Sequence, residues 1–140
     1  MIEIKGLDHI VLRTRDLDAM LHFYQTILGC PIERRLEELG LTQLRAGSAL
    51  IDIVTVDSEL GRLGGEAPTQ NGRNMDHFCL QIAPIEETQL NQHLASYNVA
   101  YGEFTERYGA QGFGRSIYLQ DPEGNVVELK PFIDTNKGTI

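Results

Sequence analysis

The feature that most constrains this chain is a pentapeptide that occurs twice. Asp8-His9-Ile10-Val11-Leu12 returns in the second half as Asp76-His77-Phe78-Cys79-Leu80. A repeat of this kind means two copies of one supersecondary unit. The chain has 140 residues, room for one domain built from two small modules. Both pentapeptides alternate with the period of a strand. In the first, His9, Val11 and Arg13 share one face, and Ile10 and Leu12 the other. In the second, His77, Cys79 and Gln81 oppose Phe78, Leu80 and Ile82.

The segments after the two pentapeptides match as well. Leu17, Met20, Leu21, Tyr24, Ile27 and Leu28 form an apolar stripe at helical spacing. Asp16 suits the N-cap and Gly29 the C-cap. In the second copy Pro84 suits a first turn, and Ile85, Leu90, Leu94 and Tyr97 make a weaker stripe. Extended segments come next at about 31–37, 41–46 and 49–56, and again at about 99–105, 116–120 and 125–131. Ala46-Gly47-Ser48 and Asp121-Pro122-Glu123-Gly124-Asn125 are turn signals between the last two strands of each copy. Each copy therefore reads as strand, helix and three strands. The boundaries fall at about 5–56 for module one and 74–131 for module two. A glycine-rich linker spans 57–73, and a polar tail at 132–140 is expected to fray.

The last strand of each copy holds a carboxylate inside an apolar run. Asp52 lies in Ala49-Leu50-Ile51-Asp52-Ile53-Val54, and Glu128 in Asn125-Val126-Val127-Glu128-Leu129-Lys130. Alternation turns Ile51, Ile53, Val127 and Leu129 toward the helix and both carboxylates away from it. Four equivalent positions then carry metal-capable side chains on the face away from the helix: His9, Asp52, His77 and Glu128. A lone strand histidine is usually structural, and a lone carboxylate usually salt-bridged, with Arg13, Arg45 or Arg115 available here. Four such residues at matched positions of a repeat point instead to a metal. A buried carboxylate is costly without a counter-charge, and a divalent cation neutralises two while accepting two imidazole nitrogens. This mixed set suits Zn, Ni, Fe, Mn or Co, with open positions for water or substrate. His22 and His93 fall in the helices, outside the pattern, and Cys79 reads as a small wall residue.

Composition removes other classes. Twenty acidic residues against twelve basic ones, a net charge of −8, oppose a nucleic-acid surface. No apolar run has membrane-spanning length, and the N-terminus lacks the pattern of a signal peptide. Two cysteines without CxxC spacing make no disulfide framework, so the expected compartment is the reducing cytoplasm.

The segments DHIVLRTRDLDAMLHFYQTILG, DHFCLQI and SIYLQDPEGNVVELK together resemble the vicinal oxygen chelate superfamily. That group includes glyoxalases, epimerases, fosfomycin- and bleomycin-resistance proteins and extradiol dioxygenases. The resemblance implies an α+β fold of two tandem βαβββ modules. Their mixed sheets would form a U-shaped, partly open cleft with the helices outside. It also implies metal ligands at His9, His77 and Glu128, and at Asp52 where a glyoxalase has glutamate. Aspartate is shorter by one carbon–carbon bond, ~1.5 Å, so direct ligation needs a closer strand or a bridging water.

The implied activity is that of a metal-dependent lyase or isomerase of glyoxalase type, with Glu128 or Asp52 as the base. Its substrate would chelate the metal through neighbouring oxygens, and Arg13, Tyr108, Arg115 and Tyr118 are candidates to hold it. If Asp52 does not reach the metal, His9, His77 and Glu128 make the facial triad of a non-haem iron dioxygenase. A metal-free drug-sequestering protein is the non-enzymatic alternative. The resemblance implies a homodimer. The stretch 108–114 reads as a flexible hairpin or lid, since it opens no helix and so is no dinucleotide loop.

Overall fold

Strand alternation and two glycine-marked turns per copy produce two sheets of identical topology. A computed structural model describes residues 1–133. The chain divides into two compact units, Met1–Asn74 and a second from Met75 onward. The first contains β1 (His9–Thr14), α1 (Leu17–Leu21), β2 (Ile32–Leu36), β3 (Leu41–Ala46), β4 (Ala49–Thr55) and a helical turn α2 (Glu59–Arg62). The second contains β5 (His77–Ile82), α3 (Glu87–Ser96), β6 (Thr105–Gly109), β7 (Gly112–Gln120) and β8 (Val126–Pro131). The sheet orders are β1-β4-β3-β2 and β5-β8-β7-β6. In each, the first strand runs parallel to the last and the remaining pairs are antiparallel. Both units are thus βαβββ, with open mixed sheets. The parallel pairing sets each histidine strand directly beside its carboxylate strand.

The helix-facing residues form the cores. In the first unit Leu12, Met20, Tyr24, Leu44 and Ile53 are fully buried. In the second, Leu94, Ile117 and Val127 are. Ile51 and Leu129 also lie on this face, as alternation requires.

The first helix departs from simple periodicity. Asp16 caps it, its carboxylate accepting from the Ala19 amide at 3.0 Å. After Leu21 the chain widens into a π-helical turn over His22–Ile27. The Leu28 amide donates to the Phe23 carbonyl at 3.0 Å, five residues back. This brings Phe23 into the core beside Tyr24, their rings edge to face at 4.9 Å. A period of 3.6 does not reveal such a turn.

Two further expectations are corrected. The second helix begins at Glu87, after Pro84 and Ile85, and buries only Leu90 and Leu94. Its N-cap, Glu86, makes no side-chain cap hydrogen bond. The second strand of the second copy is β6 at Thr105–Gly109, well past 99–105. Before it the chain makes a single bridge, Tyr101 to Leu119.

The stretch 108–114 is part of a tight β6–β7 hairpin, with Gly109 opposite Gly112. Lys130 braces it, its ammonium donating to the Gly112 carbonyl at 2.7 Å. The glycines make room for this side chain. A Cβ on Gly109 would lie 2.9 Å from Lys130 Nζ, and one on Gly114 3.0 Å from its Cε.

The stretch 57–73 packs within the first unit. Ser58 caps α2 through the Gly61 amide. A Cβ on Gly61 would stand 1.9 Å from the Thr55 carbonyl oxygen, so only glycine fits there. The Arg13 guanidinium gathers the carbonyls of Gly61, Gly65 and Glu66 at 3.2, 3.0 and 2.7 Å. Asn74 pairs its side-chain amide with the backbone of Arg13 on the outer edge of β1. Phe132 extends the ladder by donating to the Ile82 carbonyl at 2.8 Å. From residue 134 on, the expected fraying lies outside the described residues.

Candidate metal centre

In the first unit His9 lies opposite Leu50 and Val11 opposite Asp52. Both His9 and Asp52 sit on the face away from the helix, because Leu12, Ile51 and Ile53 occupy the other. His9 is exposed at the strand start, whereas Asp52 is 5% exposed. The His9 Nδ1 donates to Asp8 Oδ1 at 2.7 Å. That bond, followed by the charge of Asp52, raises the imidazole pKa. Asp52 accepts from Gln43 Nε2 at 3.2 and 3.3 Å, one contact to each oxygen. Gln43 is its cross-strand partner on β3.

The second unit repeats the arrangement with the groups closer. His77 lies opposite Val126, and Cys79 opposite Glu128. His77 Nδ1 donates to Asp76 Oδ2 at 2.5 Å, and its Nε2 stands 3.5 Å from Glu128 Oε1. Glu128 is 7% exposed. Its cross-strand partner on β7 is Tyr118, the position that Gln43 holds in the first unit. The Tyr118 ring meets the His77 imidazole edge to face, 5.4 Å between centroids. Burial, then the Glu128 charge, raises the phenol pKa. The Cys79 thiol is pushed to about 11, first by desolvation over the sheet and next by Glu128. It is a protonated wall residue at neutral pH.

Each unit thus supplies a histidine whose Nδ1 is held by the aspartate before it. The other nitrogen remains as the donor for a metal, the orientation that metal-binding imidazoles use. Each also supplies a nearly buried carboxylate with no lysine or arginine in ion-pair contact among the described residues. These donors fit a divalent cation chemically. Among the described residues no three His, Cys, Asp or Glu side chains cluster as a ready-made site. The local unit is the pair.

Asp8 and Asp76 do not emerge from strand alternation, which argues against sequence neighbours meeting. The signal for them is the dipeptide Asp-His, present in both copies. Both aspartates sit just before their strands begin and can fold back onto the ring.

Of the expected substrate residues, only Tyr118 stands with a histidine–carboxylate pair. Arg13 is spent on the 61–66 carbonyls. Arg115 makes a two-point pair with Glu87 of α3 at 2.6 and 3.0 Å, on the helix side of its sheet. Tyr108 is exposed at the hairpin tip, packed edge to face on Phe113. His22 is exposed, and His93 packs on Tyr97.

A sequence model of the glyoxalase/bleomycin resistance protein/dioxygenase superfamily matches residues 6–129. The chain belongs to this superfamily. Its relatives include the virulence protein STM3117 of Salmonella typhimurium, 26% identical over 93% of this chain and 86% of that protein. Among solved structures, an integron cassette protein of V. cholerae superposes with a TM-score of 0.79. It is 24% identical, covering 95% of this chain and 99% of the other. The lactoylglutathione lyase of Agrobacterium tumefaciens superposes at 0.67 and 17% identity, over 99% and 100% of the two chains. At such identities the superpositions establish the fold alone. No helix among the described residues is long and apolar enough to cross a membrane.

Proposed function

We propose that this member of the superfamily is a metal-dependent lyase or isomerase of glyoxalase type. It would act on a small molecule that chelates the metal through two neighbouring oxygens. The observation carrying this reading is the duplicated pair, His9 with Asp52 and His77 with Glu128, each imidazole held through Nδ1 by its preceding aspartate. His9, Asp52, His77 and Glu128 are the proposed ligands for Zn, Ni, Fe, Mn or Co. When bound, the metal supplies Lewis-acid polarisation of a substrate oxygen. Glu128, nearly buried and 3.5 Å from His77 Nε2, would take a proton from the carbon next to a carbonyl. Tyr118, protonated, stands across the strand from that carboxylate. Asp52 is the alternative base. The A. tumefaciens neighbour, as a lactoylglutathione lyase, is in keeping with this chemistry. The test is metal analysis of untagged protein, near one ion per chain, then assay on 2-oxoaldehyde–thiol adducts and α-hydroxy acids.

One observation favours a second reading. Gln43 donates to both oxygens of the short Asp52 side chain. If that carboxylate is withheld from the metal, His9, His77 and Glu128 remain as an iron dioxygenase triad. Asp52→Asn separates the two, since it keeps the shape and removes the charge. With direct ligation, chelator competition should show metal affinity falling by about 10–100-fold or more. Unchanged affinity, with iron(II)-dependent oxygen uptake, would promote the triad.

β1 and β5 are the outer strands of their sheets. Such edges favour pairing or cover, and we place the protein as a homodimer. Light scattering should report about twice 15.7 kDa, and a strict monomer at micromolar concentration would overturn that assignment.

A further inference from the structure

The face that carries His77, Tyr118 and Glu128 also carries an arginine that the proposed chemistry leaves unused. Arg107 lies on β6 opposite Gly114, on the same face as Ser116 and Tyr118. Its Nη1 donates to the Ser116 carbonyl at 2.7 Å and to the Ser116 hydroxyl at 2.9 Å. Ser116 itself is fully buried, so this anchor is rigid. The guanidinium carbon stands 4.2 Å over the centre of the Tyr118 ring. Nε and Nη2 meet no acceptor among the described residues.

Acidic residues outnumber basic ones by 20 to 12, and Arg45 and Arg115 have each taken a glutamate. Lys130, the other cation on this face, is spent on the hairpin carbonyl. Arg107 has no carboxylate partner among the described residues. Its side chain is half-buried and already ordered by stacking and by Ser116, so little rotamer freedom remains to be lost on binding. The Nε–Nη2 edge is the edge of a guanidinium that grips two oxygens at once. The aromatic ring beneath it is the one that touches the His77 imidazole.

We propose that Arg107 is a specificity-determining residue that binds an oxyanion substituent, a carboxylate or phosphonate, on the substrate. One end of the molecule, its neighbouring oxygens, addresses the His77–Glu128 end of this face. The anionic end lies across the Tyr118 ring on Arg107. Where the chelating end sits rests on the metal-dependent reading of the site; the anion subsite does not.

Three hydroxamates test the arrangement: acetohydroxamate, malonomonohydroxamate and phosphonoacetohydroxamate. All present two neighbouring oxygens, and only the last two carry an oxyanion. Calorimetry on the metal-loaded protein should show at least one charged probe binding about 10-fold or more tighter than acetohydroxamate, the size of a charge-assisted two-point contact. Arg107→Met should abolish that advantage and leave acetohydroxamate affinity unchanged. Arg107→Lys should restore part of it. Whether carboxylate or phosphonate gains more identifies the substituent.

An arm independent of metal monitors the arginine Nε–H resonances by NMR while phosphonoacetate is titrated into metal-free protein. The Arg107 signal, assigned by its absence from Arg107→Lys, should shift saturably. An advantage that survives Arg107→Met, or equal loss of acetohydroxamate binding in that variant, would overturn the proposal. So would an unmoved Arg107 signal. If no hydroxamate binds while the Arg107 signal shifts, the metal reading fails and the anion subsite stands.

Discussion

Replacing His77 by alanine is expected to lower metal affinity by more than about 100-fold, beyond the 10–100-fold usual for disturbing an outer-shell partner. The change removes a neutral nitrogen donor 3.5 Å from Glu128 Oε1 and leaves a nearly buried carboxylate without its neighbour. The fold should survive. His77 opens its strand on the exposed face, and the core of that unit is made by Leu94, Ile117 and Val127 on the other. Metal-free stability in urea should therefore stay within about 0.5 kcal/mol of the parent. Asp76→Asn is the informative companion. It keeps the imidazole but weakens the hydrogen bond to Nδ1 that selects the tautomer. Its affinity should fall by about 10–100-fold. Elemental analysis and chelator competition measure both. Full occupancy in His77→Ala would remove that residue from the metal set. An unaltered Asp76→Asn would mean that the aspartate does not orient the ring.

The largest stability effect is expected from Leu94→Ala, a loss of about 2–5 kcal/mol. The second helix is short and poorly capped, with Leu90 and Leu94 as its buried residues. Leu94 is fully inaccessible, while Ile85 and Tyr97 at the ends of the expected stripe are 36% and 38% exposed. Truncating Leu94 leaves a cavity, with Leu90 the one other buried residue on the helix. Urea unfolding should show a lower midpoint, and Tyr97→Ala should cost about 1 kcal/mol or less. Equal effects at the two positions would mean that the helix docks through its ends. Against a typical total stability of about 5–15 kcal/mol, the Leu94 change removes a large share.

Much of this architecture is legible in the residues alone. The Asp-His pentapeptide appears twice, and each copy leads into an apolar stripe and strands broken by turn residues. Period-2 alternation then assigns every strand residue to a face, and it puts His9, Asp52, His77 and Glu128 on the side away from the helices. The Asp121 turn is equally local. Its carboxylate accepts from the Glu123 and Asn125 amides at 2.9 Å, as the Asp-Pro-Glu-Gly-Asn signal implies. The helical stripes hold where packing is regular. The π turn of 22–27 departs from the 3.6 period through its five-residue hydrogen bond, yet Tyr24 and Ile27 of the stripe stay buried there. The stripe fails at Pro84 and Ile85, which precede the helix.

Local pattern cannot say which side chain sits across from which. Gln43 against Asp52 and Tyr118 against Glu128 are decided by register between strands, fixed by how the whole sheet closes. The cross-strand partner sets what a carboxylate can do: an amide donates to both oxygens of one, and a phenol stands against the other. Arg107 carries no motif, and it matters only because β6 pairs with β7 and lays its guanidinium on the Tyr118 ring. Arg115 and Arg13 show the converse, since composition offers them as ligand-binding cations and tertiary contacts tie them to Glu87 and to the 61–66 carbonyls. Which face a residue occupies comes from backbone geometry repeated every two residues. Which charges remain available on that face depends on partners brought from far along the chain.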